Sequence, residues 1–233
     1  MQSTMTPKHL KITLPKIFTP FYCKNLIRLG KENDGGYLVN ADDVMTSDRL
    51  VSLGIKDDWS FDQDFADIND CDIQAYDGTV DEENRQLLSQ FFTGHRRFVH
   101  ANVGRAAGQI PLERTLADRT FLKCDIEGDE YHMLDEIIAN SPKFTGIVME
   151  FHSIQDPKNF NALTNFIAKI RQKLVHVHVN NWFYYLHEGV CIPDVIELTF
   201  TSSQDITWKL VTMPHRLDQP NCPFREDFAI SFD

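Results

Sequence analysis

From about residue 49 onward, short apolar runs alternate with longer stretches whose apolar positions recur at helical spacing. The pattern predicts extended segments at 50–55, 72–76, 97–103, 121–124, 146–151, 174–179, 195–201 and 228–232. Several are rich in β-branched and aromatic residues without clean alternation, as strands buried on both faces of a mainly parallel sheet read. Helical spacing falls between them, over 60–69, 81–92, 129–140 and 158–173. In the third of these Met133, Leu134, Ile137 and Ile138 make the apolar stripe. Strands alternating with helices predict an α/β fold: an open, mostly parallel sheet with helices on both faces. Beyond Ile192 strand and turn signals crowd together, which predicts an antiparallel C-terminal edge. No repeat or low-complexity tract interrupts the chain, so one domain is expected over 1–233, with 1–48 as an N-terminal cap segment and 49–233 as the α/β core.

Charge narrows the function classes. The 34 acidic and 23 basic side chains give a net charge of −11, and residues 51–90 alone hold eleven acids against two bases. No Lys/Arg run offers the basic surface that duplex nucleic acid or an anionic membrane requires, so neither is an expected partner. The N-terminal MQSTMTPKHLKITLPKIF lacks the apolar core of a signal peptide, and no apolar run approaches the roughly 20 residues of a bilayer helix. The five cysteines are odd in number, widely spaced and never in a CxxC pair. They suggest neither a disulfide framework nor a zinc site, and a cytoplasmic setting with reduced thiols is the expectation.

In an open parallel sheet, ligands bind at the carboxyl ends of the strands. After the first core strand stands Gly54, where a cofactor could approach the backbone. Asp77 follows 23 positions later, at the end of the second strand, where a Rossmann-like domain grips a ribose diol. The second and third glycines of GxGxxG are missing, so the turn gives no ready seat for a pyrophosphate, and the pairing points to S-adenosylmethionine rather than NAD. The fourth core strand leads into Asp125, Glu127, Asp129 and Glu130. Asp129 and Glu130 read as first-turn acids favoured by the helix dipole, which leaves Asp125 and Glu127 for chemistry. Period-two parity places Glu150 with His152, and His176 with His178 and Asn180, against three valines on the other face. These groups suit proton abstraction, a divalent Mg²⁺ or Mn²⁺ held by Asp125, Glu150 and His178, or both. Trp182, Phe183, Tyr184 and Tyr185 could stack on an acceptor or pack against a second subunit of a homo-oligomer, and Arg96, Arg97, Arg105 and Arg119 are candidates for a phosphate.

The segments NDGGYLV (33–39), VSLGIKDDWSFDQDFA (51–66), IQAYDGTV (73–80), FLKCDIEGDEYHML (121–134), IVMEFH (147–152), HVHVNN (176–181) and LDQPNCP (217–223) occur in this order. Together they resemble the FkbM-type, methyltransferase-like branch of the class I S-adenosylmethionine-dependent methyltransferases. The resemblance implies a seven-stranded sheet and transfer of a methyl group to a hydroxyl of a small molecule, a sugar or sugar nucleotide. It also implies that Gly35, Gly36 and Tyr37 close over the methionyl end, Gly54 faces the cofactor, Asp77 takes the ribose, Asn102 and Val103 flank the adenine, and Asp125 lies near the transferring methyl. His152 or His178 would be the base, with Asp125, Glu127 and Glu150 orienting it or holding a cation. A nicotinamide-dependent dehydrogenase, or a methyltransferase-shaped protein that binds a cofactor or partner without chemistry, are the alternatives.

Overall fold

The computed structural model describes residues 11–187 and 190–233. Seven strands form the central sheet: β1 (Arg49–Leu53), β2 (Asp72–Tyr76), β3 (Arg96–Val99), β4 (Thr120–Cys124), β5 (Phe144–Phe151), β6 (Lys173–Val179) and β7 (Ile196–Thr201). Their spatial order is 3-2-1-4-5-7-6. Strands β1 to β5 pair in parallel, and β7 runs antiparallel to both β5 and β6. The sheet is therefore open, mostly parallel and Rossmann-like, with an antiparallel edge. Strand order reverses between β1 and β4, which opens a crevice at their carboxyl ends.

Strands β4 and β5 are buried at every position, which is why their sequences run apolar without alternation. Five helices cover the sheet: α1 (Ala41–Met45), α2 (Ser60–Ile68), α3 (Glu82–Phe91), α4 (Leu134–Ala139) and α5 (Pro157–Lys169). Leu50, Phe121 and Val148 meet Val44 of α1 and Phe61 and Phe65 of α2 on one face. Val51, Leu53 and Leu122 meet Ile137 of α4 and Leu163 and Phe166 of α5 on the other. Leu88 anchors α3 beside Ile55, Ala75 and Val80. Helix α5 starts where the Asp156 side chain accepts the Lys158 N–H, with Pro157 at its first position.

Two expectations change. The helix expected over 129–140 is a 3₁₀ turn, Asp129–His132, followed by α4. The tight turn brings Glu130 beneath the sheet end, where a straight helix entry would leave it at the surface. In β6 the register shifts between Leu174 and His176. This bulge sends Val175 into a separate cluster with Cys23, Leu26 and Leu38 while Val177 and Val179 stay in the main core, so the three valines do not share a face.

The segment before β1 is tied to the rest of the chain. Lys11–Leu14 pairs in parallel with Ala229–Phe232. An antiparallel hairpin, Leu26–Leu29 with Tyr37–Asn40, lies against β7, whose Thr199 hydroxyl donates to the Leu38 carbonyl at 2.6 Å. That docking aims the Tyr37 side chain at the crevice.

Candidate active site

A cleft of about 700 Å³ opens over the carboxyl ends of the strands, within the range of roughly 300–1,000 Å³ typical of small-molecule sites. Of the residues singled out from the sequence, Gly35, Tyr37, Gly54, Asp77, Asn102 and Val103 line it. So do Asp125, Glu127, Glu150 and His152. Gly36 and His178 do not.

The β1 side is built around Asp77. One of its oxygens accepts the backbone N–H groups of Ile55 (3.2 Å) and Lys56 (2.9 Å), and the other accepts the Thr79 N–H (2.7 Å) and hydroxyl (2.6 Å). Burial pushes this carboxyl up, but the Thr79, Lys56 and Ile55 bonds outweigh it and hold the group below its ordinary range. All of its roughly four acceptor positions are filled, so a ribose diol engages Asp77 only by displacing the Thr79 hydroxyl. Asn102 accepts the Gly78 N–H at 2.7 Å and fixes the next strand end.

Gly54 has φ +74°, and a Cβ there would lie 1.6 Å from the Asp125 carbonyl oxygen. Its need for glycine comes from the crossing of the β1 and β4 ends, before any ligand is considered. The Lys123 ammonium donates to the Gly54 carbonyl at 2.5 Å and lies 3.9 Å from Asp125, locking the two ends together. Gly36 is also structural: a Cβ would meet the Arg28 guanidinium at 2.1 Å, and Arg28 clasps the loop by donating to the carbonyls of Lys31 and Asn33, both at 2.6 Å. The non-glycine residues Lys56, Glu127 and Ser153 adopt positive φ (43°, 56° and 53°) at the ends of β1, β4 and β5. Backbone strain gathered at one rim is characteristic of functional sites.

On the β4–β5 side, the Tyr37 hydroxyl sits 3.1 Å from Asp125 and 3.0 Å from Glu150, and Asn180 donates to the other Glu150 oxygen at 3.1 Å. One phenolic proton cannot serve two carboxylates. Burial first, then the charges of Asp125 and Glu197, pushes Glu150 well above its ordinary value. A carboxyl raised in this way favours its protonated form, which eases the contest with Asp125 for the Tyr37 hydroxyl.

His152 is the imidazole that reaches the cleft. Its Nδ1 and its backbone N–H both bond one oxygen of Glu130, a carboxylate with no exposed surface. Nε2 points to the cleft side, 3.6 Å from Glu127 and 3.9 Å from Asp125. Burial opposes the ring's charge, but the bond to Glu130 and the nearby acids prevail and lift it to about 9. Glu130 was not legible as a site residue, since an acid opening a helix looks like an ordinary dipole partner.

His178 lies behind the site. Nδ1 faces Glu197 at 3.2 Å and Nε2 faces Asp227 at 3.1 Å. Burial lowers its pKa, but these two carboxylates raise it further, leaving it well above the ordinary value. With both nitrogens occupied and the ring charged, His178 is neither a base nor a metal ligand. The expected trio Asp125, Glu150 and His178 is thus not a cation site, and among the described residues no group of three His, Cys, Asp or Glu side chains is arranged to hold a metal ion. Nor do the four arginines offered for a phosphate line the cleft: Arg96 pairs with Asp70, Arg105 with Glu136 and Arg119 with Asp48.

The residues fit a nucleoside sulfonium. Carboxyl side chains outnumber lysines three to one along the lining, a potential that favours a cation. They fit a dinucleotide poorly. The Ile55 and Lys56 amides that would cradle a pyrophosphate already donate to Asp77, and Asp57 and Asp58 stand beside them. Among the described residues no helix is long and apolar enough to cross a membrane.

No protein-family model matches the chain, and no curated protein matches it. Among solved structures it is similar to the precorrin-6y C5,15-methyltransferase of Geobacter metallireducens, with 18% identity, 70% of this chain and 85% of that one covered and a TM-score of 0.41. It is similar also to the 23S rRNA methyltransferase ErmE (12%, 73% and 69%, 0.42). A mutant 16S rRNA adenine methyltransferase from Catenulisporales acidiphilia, with its cosubstrate SAM, gives 12%, 75% and 97%, and 0.37.

Proposed function

We propose that the chain is an S-adenosylmethionine-dependent O-methyltransferase of the FkbM type, one domain in which residues 11–48, the described part of the N-terminal segment, cap the α/β core, acting on a hydroxyl of a sugar-like small molecule. The observation that carries this reading is the acid-lined cleft at the strand-order reversal, which joins the Gly54–Asp77 turn to Asp125, Glu150 and the Glu130-held His152. The bound cofactor supplies an electrophilic methyl on a sulfonium. Asp77, Asn102 and Val103 hold its nucleoside end, and Gly35 and Tyr37 close over the other. Asp125 favours the positive charge, its carboxylate steadied by Lys123 and Tyr37.

His152 is the base. Glu130 holds the Nδ1 proton, so Nε2 is the nitrogen that receives the hydroxyl proton as the new C–O bond forms and the C–S bond breaks. A positive charge entering the cleft opposes the imidazolium and lowers its pKa from about 9 towards neutrality, so ligand binding itself prepares the base. No divalent ion is assigned a part, because the trio expected to hold one is not assembled. A dehydrogenase is disfavoured by the occupied Ile55 and Lys56 amides. Five free cysteines accord with a reducing, cytoplasmic setting.

The test is mass spectrometry of a panel of hydroxyl acceptors incubated with the protein and S-adenosylmethionine. One added methyl, lost in Asp125→Ala and His152→Ala variants that keep the parent's thermal midpoint, supports the reading. A modified product formed equally well by both variants overturns the assigned roles.

A further inference from the structure

The wall of the cleft on the β5–β6–β7 side differs from the β1 turn. Asp34 and Asp194 stand there with Asn180, Trp182 and Phe183. Asp34 receives the Asn221 amide at 3.0 Å and the Asn180 amide at 3.5 Å, both on one oxygen. The Asp194 backbone is tied to Ile154 and Phe183 (3.0 and 3.2 Å), yet its side-chain Oδ1 is buried without a hydrogen-bond partner. Such an acceptor costs stability until a donor arrives. The two aromatic residues of this wall are open to solvent: Trp182 is 38% exposed and Phe183 67%.

Nothing on this wall suits an anion. Of the three lysines that line the cleft, Lys31 is paired with Asp58 at 3.0 Å, Lys123 is bound to the Gly54 carbonyl and Lys56 stands away on the β1 turn beside Asp57 and Asp58, and among the described residues no arginine lines the cleft. A phosphate would enter a field of its own sign. Carboxylates beside open aromatic faces are the surroundings in which ammonium groups are held, by ion pairing and by cation–π attraction.

We propose that the acceptor is cationic: an amine-bearing, sugar-like molecule whose ammonium sits between Asp34 and Asp194 against Trp182 and Phe183, while its hydroxyl is presented to His152. This rests on the methyltransferase reading for the fate of the hydroxyl, but the charge preference belongs to the cleft alone. It replaces the sugar nucleotide expected from the sequence, whose diphosphate would meet carboxylates and no basic side chain among Asp34, Asn180, Trp182, Phe183 and Asp194.

Ligand-observed NMR at pH 7 with glucosamine, N-acetylglucosamine and glucose 6-phosphate tests it, with and without S-adenosylhomocysteine. These probes share a ring and differ in charge. Glucosamine is expected to bind about tenfold more tightly than either of the others, equivalent to roughly 1.4 kcal/mol. Asp194→Asn and Asp34→Asn, checked by thermal midpoint for folding, should bring the ratio close to one, and Trp182→Ala should weaken glucosamine alone. Equal binding of the three, tighter binding of the phosphate, absent binding of glucosamine, or a preference untouched by both Asn variants overturns the proposal. Failure of S-adenosylhomocysteine to bind while the amine preference persists would instead sink the methyltransferase reading.

Discussion

Glu130→Gln separates the charge of the buried carboxylate from its shape. The amide keeps an oxygen for the His152 ring but no longer stabilises an imidazolium. His152 stands at about 9 against an ordinary 6.5, a difference of roughly 2.5 units, or about 3.4 kcal/mol at 1.36 kcal/mol per unit. That figure is a net one: burial lowers the ring's pKa, so the bond to Glu130 and the charges of the neighbouring acids together supply more than this. The raised value fixes the sign of the pH dependence. The stabilisation is fully present below pH 6.5 and is lost as pH rises through about 9, so the parent's unfolding free energy should fall across that window and the variant's should be nearly flat. His152 Cε1–H shifts followed by NMR should give a midpoint near 9 in the parent and near or below 6.5 in the variant. The pH profile of kcat/KM, which reports the free enzyme, should move in the same direction, which a purely structural role for Glu130 would not cause. At pH 7 only roughly one parent ring in a hundred is neutral before ligand binds. A parent midpoint near 6.5, or a variant midpoint still near 9, would refute the Glu130–His152 pairing.

Gly54→Ala should lower the thermal midpoint by an amount equivalent to more than about 3 kcal/mol, because the new methyl meets the Asp125 carbonyl; a near-native melting curve would contradict the crossing. Tyr37→Phe removes the hydroxyl between Asp125 and Glu150 and should cost about 1–3 kcal/mol in denaturant titration; an unchanged midpoint would contradict the shared bond. His178→Ala leaves Glu197 and Asp227 without their shared cation and should cost about 3–5 kcal/mol. Its effect on turnover should then track the folded fraction, and a well-folded but inactive variant would return His178 to the chemistry. Thr79→Ala frees an acceptor position on Asp77 and should tighten S-adenosylhomocysteine binding by about 1 kcal/mol in calorimetry; unchanged affinity would argue against a ribose at Asp77.

What the sequence made legible follows from the range over which each signal acts. The buried runs of β4 and β5 declared themselves locally, since a strand covered on both faces is apolar throughout. Parity brought Glu150 and His152 to one end of the sheet because it needs only neighbouring residues. The fate of His178 did not follow from parity. Its partners are Glu197 on β7 and Asp227 in the C-terminal segment, and no local pattern reveals a carboxylate so far along the chain. Gly54 was noticed for its conformational freedom, but the reason for it is the carbonyl of Asp125, just past the end of β4. Glu130 was hidden by its own plausibility, because the 3₁₀ turn that buries it looks in sequence like the first turn of a helix. The bulge in β6 likewise leaves no mark in a valine-histidine alternation.

The central claim is that the cleft at the strand-order reversal binds a sulfonium nucleoside. Isothermal titration of the protein with S-adenosylmethionine, S-adenosylhomocysteine and NAD tests it most directly. The account predicts one site for each of the first two ligands, weakened by Asp125→Ala, and no saturable heat with NAD. Saturable NAD binding without a response to either adenosyl ligand would contradict it.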